Sequence, residues 1–324
     1  VIQPVTDNVS GERPTLQTVR DAARRLQGRI NQTPVLSSRS LDQQLGARVL
    51  FKCENFQRVG AFKARGATNA VFSLDEATAG RGVATHSSGN HGAAVALAAA
   101  ERGIPAWVVV PENAARVKRD AVARYGGQVV DCGAGMTQRE EGLARVVAET
   151  GASVVHPYDD YRVIAGQGTA ALELLEAHPE IDMLLTPVGG GGLLSGCALV
   201  ARGLPGTVQV IGCEPAGADD AQRSFVSGQR VILDSPETIA DGLRASLGTR
   251  NFALIRELVD DIVTVEEAQI VDAMRVVWER MKIIIEPSAA VPVAAILNDV
   301  IDIRGLTVGI ILSGGNVDLQ RLPW

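Results

Sequence analysis

Short apolar runs alternate along this chain with longer segments whose apolar residues recur every three or four positions. The runs at 48–53, 82–86, 107–111, 129–132, 153–156, 183–188, 208–213, 262–265 and 308–312 have strand length. Segments of helical period lie between most of them, at 16–26, 64–74, 93–101, 139–149, 169–177 and 266–281. Strands that are apolar throughout are covered on both faces. Their alternation with helices therefore predicts an α/β fold of parallel sheets with helices on both sides. A chain of 324 residues has room for two such sheets, with a ligand between them off the carboxyl ends of strands.

Composition narrows the field by exclusion. A net charge of −6 without a long basic run, and 4% aromatic residues, argue against a nucleic-acid surface. No apolar run reaches membrane-spanning length, and the polar start of the chain predicts a cytoplasmic protein. Cys53, Cys132, Cys197 and Cys213 are widely spaced and read as buried apolar residues of a reducing compartment. The histidines lack metal-ligand spacing, and for His156 and His178 the structural reading is preferred.

Three stretches carry candidate chemistry. In Val59-Gly60-Ala61-Phe62-Lys63-Ala64-Arg65-Gly66-Ala67, a lone lysine follows a polar loop and opens an alanine-rich helix. Phe62 and the alanines predict an apolar wall beside the ammonium. Desolvation disfavours the charged form and frees the amine for Schiff-base chemistry with a carbonyl cofactor. A solvated lysine at a helix start is the plainer reading. In His86-Ser87-Ser88-Gly89-Asn90-His91-Gly92, hydroxyls, an amide and open N–H groups before a helix suit a carboxylate, or simply cap a turn. Gly189-Gly190-Gly191-Gly192, between an apolar strand and an apolar helix, suits a phosphate on bare backbone N–H groups. It lacks the Gly-Lys-Ser/Thr of a Walker loop and the spacing of a dinucleotide fingerprint. Gly166-Gln167-Gly168-Thr169-Ala170-Ala171 matches that fingerprint loosely and keeps a nicotinamide oxidoreductase open as an alternative.

Together with the terminal Leu312-Ser313-Gly314-Gly315-Asn316, these stretches, in this order, resemble the fold-type-II (tryptophan-synthase-β-like) pyridoxal-phosphate enzymes. Within them the resemblance is to serine racemases and to serine/threonine and threo-3-hydroxyaspartate dehydratases, over nearly the whole chain. It implies a discontinuous large cofactor domain (1–80 and 160–324) and a small mobile substrate domain (81–159). It also implies that Lys63 bonds the pyridoxal aldehyde, Phe62 packs by the ring and Asn90 bonds its 3′-oxygen. Gly189 to Gly192 with Leu193 would take the phosphate, and Ser313 would face the pyridine nitrogen. A neutral hydroxyl there implies a moderate electron sink. Ser87, Ser88, Gly89, Asn90 and His91 would line the substrate, with Arg139 on a carboxylate and Lys118 and Ser246 as second candidates. Glu214, the Ala218 carbonyl and Asp220 resemble a site for Mg²⁺, Mn²⁺ or Ca²⁺, against the plainer reading of a solvated acidic helix start.

The departures are local. Val59 and Ala61 stand where threonine and serine are usual, and Tyr158 where animal serine racemases have asparagine. Ala93 replaces a glutamine of the animal nucleotide site, which counts against ATP activation. The expectation is a homodimeric dehydratase of small β-hydroxy amino acids, with Lys63 and Ser88 as catalytic groups. The alternatives are a serine racemase and a non-catalytic ligand-sensing relative.

Overall fold

The computed structural model describes residues 12–87, 89–112, 116–133 and 135–324. Its strands are β1 (Val35–Ser37), β2 (Arg48–Cys53), β3 (Val83–Thr85), β4 (Ala106–Pro111), β5 (Gln128–Cys132), β6 (Ser153–Val154), β7 (Met183–Pro187), β8 (Gln209–Pro215), β9 (Asp261–Val265) and β10 (Thr307–Leu312). They form a six-stranded sheet, β1-β2-β10-β7-β8-β9, and a four-stranded sheet, β5-β4-β3-β6. All pairs are parallel except β1 with β2. β1 is a three-residue edge strand with no apolar run to predict it.

One face of the large sheet packs on the Glu267–Met281 and Pro287–Leu297 helices, and the other on Leu16–Leu26, Tyr161–Ala177 and Gly192–Gly203. The Lys63–Phe72 and Asn90–Arg102 helices pack together beneath the small sheet. The Gly166–Ala171 stretch lies within the Tyr161–Ala177 helix, not at a strand-to-helix turn. A Cβ on Gly166 would stand 2.6 Å from the Gly66 Cα, and one on Gly168 2.8 Å from the Gly196 carbonyl oxygen. Those glycines serve close helix crossings, so the nucleotide fingerprint is corrected to a packing motif. All four cysteines are free and buried. No helix among the described residues is long and apolar enough to cross a membrane.

Parallel strands put their carboxyl ends on one edge. Adjacent β2, β10, β7 and β8 therefore release residues 54–63, 313–316, 189–192 and 216–220 on the same side of the large sheet. β3 and β6 release 86–90 and 155–159 from the small sheet.

Candidate active site

Lys63 opens its helix where two strand ends meet. The Phe62 N–H donates to the Ser313 carbonyl at 2.9 Å, and Ala61 bridges Gly314. Ahead of it, Val59 has φ +54° and ψ 12°, strained for a β-branched residue, and its carbonyl accepts from the Asn316 amide at 2.7 Å. Lys63 Nζ donates to the Pro157 carbonyl at 2.8 Å and stands 5.1 Å from the Phe62 ring. Burial pushes its pKa down to about 8, and the Glu286 carboxylate only partly opposes this.

Behind the lysine the same helix is anchored by charge. Arg65 is wholly buried and meets both oxygens of Glu54 (2.7 and 2.8 Å) and of Glu173 (2.7 and 2.9 Å). Lys52 joins at Glu173 (2.5 Å) and the Thr33 carbonyl (2.8 Å).

The tetraglycine segment faces this helix start from β7. A Cβ on Gly190 would run into the Tyr158 ring, and one on Gly189 would stand 2.9 Å from the Leu243 Cα. Gly191 has φ +92° and leaves 2.8 Å to the Asn251 Cβ, so no L side chain fits any of these three positions without displacement. Gly192 begins a twelve-residue helix whose first N–H groups lack intrahelical acceptors. Thr186 Oγ1 and Ser195 Oγ, flanking the loop, are buried without a partner among the described residues. Bare N–H groups at a helix start and orphaned hydroxyls make a cradle for a phosphate, so the residues present fit a phosphorylated cofactor. Asn251 backs the loop, its amide donating to Gly190 O (2.9 Å) and Tyr158 O (3.0 Å).

Ser313 is buried at the end of β10. The Asn90 amide donates to both Glu286 oxygens (3.1 and 3.2 Å), and Asn90 Oδ1 accepts from Asn316 at 2.9 Å. Glu286 and Asn316 were not singled out as site residues from sequence. Glu286 carries only a helix-start signal, an acid before Pro287, while its partner Asn90 lies 196 residues away. Ser87 and Gly89 lie in the loop after β3, and His91, in the first turn of the Asn90–Arg102 helix, has its Nε2 bound to Val155 O at 3.0 Å. Arg139, on the Met136–Thr150 helix, has a buried Nε without a partner among the described residues. The Ser246 hydroxyl accepts from Leu233 N at 3.1 Å and bonds Asp220, beside the acidic cluster. Ser88 and the Lys118 side chain lie outside the described residues.

Glu214 and Asp220 are buried, which corrects the solvated-helix reading. Glu214 accepts from Ala221 N (3.1 Å) and Gln222 N (3.0 Å), and Asp220 from Leu247 N (3.1 Å). Burial, with Asp220 and Asp219 adding to it against those N–H groups, pushes Glu214 up to about 9. Burial likewise pushes Asp220 up to about 6. Ala218 is buried in the turn between them. Among the described residues no three His, Cys, Asp or Glu side chains cluster to hold a metal. A cation here would rest on two carboxylates and backbone oxygen.

A fold of this kind around such a lysine and glycine loop defines a class, and the chain belongs to it. Residues 26–314 match the family described as pyridoxal-phosphate dependent enzyme. The beta-hydroxyaspartate dehydratase of Paracoccus denitrificans is 49% identical over 96% of this chain and 99% of its own. The serine racemase of Arabidopsis thaliana is 49% identical over 94% of each chain. The structure of maize serine racemase superposes with a TM-score of 0.92 at 46% identity, covering 94% of both chains.

Proposed function

We propose that this chain is a pyridoxal-phosphate-dependent dehydratase of small β-hydroxy amino acids, releasing a 2-oxo acid and ammonia, with serine racemisation as a second outcome. What carries the reading is Lys63, a desolvated amine with a pKa of about 8, set between the Ser313 strand end and the side-chain-free Gly189–Gly192 loop. Identities near 49% to a hydroxyaspartate dehydratase and a serine racemase support both outcomes.

Gly189 to Gly192 and Leu193 would hold the cofactor's phosphate, Phe62 its ring face, Ser313 its ring nitrogen and Asn90 its 3′-oxygen. The bound cofactor supplies an aldehyde for the substrate amine and a ring that withdraws electrons from the α-carbon. Lys63, neutral at a pH above about 8, takes the α-proton. The β-hydroxyl departs with a proton as water, and hydrolysis of the resulting enamine gives the 2-oxo acid and ammonia. Ser88, with Ser87, Gly89 and His91, would line the opposite face, where return of a proton inverts the centre. Arg139 holds a substrate carboxylate, and Lys118 is a second candidate. Glu214, Asp220 and the Ala218 carbonyl would hold Mg²⁺, Mn²⁺ or Ca²⁺ as a structural and activating ion. Residues 81–159 would move as a small domain against the rest. Exposed Phe56 and Ile284 (each 46% accessible), joined through an Asn55–Ile284 hydrogen bond, support a homodimer.

Borohydride reduction of the coloured protein, followed by peptide mass spectrometry, should place the pyridoxyl group on Lys63. A label on Lys52 or Lys282 would sink the assignment. Ser88→Ala should abolish racemisation while L-substrate dehydration survives within roughly tenfold. Equal loss of both would make Ser88 a substrate-holding group.

A further inference from the structure

The Thr249–Leu258 helix has no side chain of its own to cap its start, because Gly248 holds the capping position. The cap comes from the loop after β6, some ninety residues earlier. Asp159 accepts there from Thr249 N at 3.1 Å, Arg250 N at 2.9 Å and Asn251 N at 3.3 Å, and Arg250 Nη1 donates to the Asp159 carbonyl at 3.0 Å. A Cβ on Gly248 would stand 2.3 Å from Asp159 Oδ1, so the bare glycine is what admits this carboxylate. The result is to seat Asn251, fully buried, with its amide between Gly190 O at 2.9 Å and Tyr158 O at 3.0 Å. Gly248 N also donates to Gly190 O, at 3.1 Å. Two donors therefore hold one carbonyl. In a planar trans peptide the carbonyl and the next N–H point in opposite directions. Pinning Gly190 O thus turns the Gly191 N–H away from Asn251. Gly191 is buried, and among the described residues nothing accepts from its N–H. The same rule works one loop away. His156 Nδ1 accepts from Tyr158 N at 3.3 Å, and the Pro157 carbonyl, facing the other way, meets Lys63 Nζ at 2.8 Å.

We propose that Asn251, seated by Asp159, is a positioning residue for the cofactor's phosphate: it fixes the Gly190–Gly191 peptide so that the Gly191 N–H is already presented to a phosphate oxygen. The inference rests on the reading above that the glycine loop takes a phosphate, and it names the side chain outside the loop on which that binding depends. Four successive glycines have more backbone freedom to lose than any other sequence of that length, so an anchor that orders them beforehand lowers the entropy lost on binding. A buried N–H without an acceptor is unfavourable until a ligand oxygen meets it. Asn251 maintains that arrangement without touching the phosphate itself. Through Tyr158 O the same amide also ties the loop bearing the Pro157 carbonyl, and so the acceptor of Lys63, to the glycine loop.

The probes are pyridoxal phosphate and pyridoxal, which differ only in the phosphate, titrated into the cofactor-free protein and followed by visible absorbance. Asn251→Ala should weaken pyridoxal phosphate about 10- to 100-fold, the range of two lost hydrogen bonds, and pyridoxal by less than about threefold. A merely structural role would weaken both alike. That result, or an unchanged affinity for pyridoxal phosphate, overturns the proposal. Asn251→Ser, which keeps one hydroxyl donor, should show the same phosphate-dependent loss to a smaller degree, and it decides the matter should Asn251→Ala fail to fold. Inorganic phosphate, titrated into the same proteins by phosphorus NMR, separates this inference from the reading beneath it. If neither pyridoxal form binds the unmodified protein, the cofactor reading fails by itself, while weaker phosphate binding by the variants still supports Asn251. An unmodified protein that binds no phosphate in either form overturns both.

Discussion

Charge is buried in two regions at the carboxyl edge of the large sheet, and the two are built in opposite ways. Beside β2, Arg65 and Lys52 meet Glu54 and Glu173, two cations against two anions. Burial works against the Arg65 charge, yet Glu54 and Glu173 outweigh it and hold its pKa raised. At the end of β8 and just past it, Glu214 and Asp220 are as deeply buried, but the charged neighbours acting on Glu214 are themselves acids, Asp220 and Asp219. The first region is completed by the chain alone and ties the Lys63 helix to its sheet. The second is left short of positive charge, as a site that expects a ligand is.

The largest effect should come from breaking the completed region. Arg65→Met removes one cation and strands two carboxylates, at a cost of about 3–5 kcal/mol in unfolding free energy. Urea unfolding of the cofactor-free protein measures it. A loss below about 1 kcal/mol would mean that the network is solvated in solution and that the contrast is false.

Lys63 stands between the two extremes, a cation with a carbonyl partner and a carboxylate that only partly opposes burial. In the cofactor-free protein, amine-selective acylation of Lys63 should reach half its maximal rate near pH 8, not 10.5. Because its folded pKa lies below the unfolded value, the unfolded chain binds more protons between those pH values. This group's contribution to stability therefore rises with pH from about 8 to 10.5 and is flat below. Lys63→Met should flatten that rise. An acylation midpoint above pH 10 would make Lys63 an ordinary exposed amine.

The sequence made the two regions unequally legible. Gly189 to Gly192 and Lys63 stand out because bare backbone and a lone lysine between glycines are local patterns. Most strand positions were legible for the same reason, since apolar runs between turns need no partner to be recognised. The acids that complete Arg65 were invisible as partners, because Glu173 reaches it across 108 residues and only the fold brings them together. Glu286 and Asn251 escaped likewise, each meeting the site through tertiary contacts. The edge strand β1 escaped because three residues carry no period. Gly166 and Gly168 misled in the other direction, since glycines that let helices approach closely look, in one dimension, like glycines that cradle phosphate.

The smallest effect sharpens the comparison from the incomplete side. Asp220 Oδ2 accepts from Leu247 N at 3.1 Å, and the next residue, Gly248, donates to Gly190 O at 3.1 Å. Whatever neutralises Glu214 and Asp220 is thereby tied to the Gly189–Gly192 loop two steps away. A divalent cation at a hundred times its dissociation constant should add about 2.7 kcal/mol of stability. By linkage, the ion and the cofactor should tighten each other's binding by the same factor. Chelation should lower both the melting temperature and the affinity for pyridoxal phosphate, and Mg²⁺ or Mn²⁺ should restore them. The Glu214→Ala/Asp220→Ala protein should ignore chelator and added ion alike. If that double variant keeps full activity and the unmodified protein is equally indifferent to chelator, the two acids are simply protonated and buried, and the second region is as complete as the first.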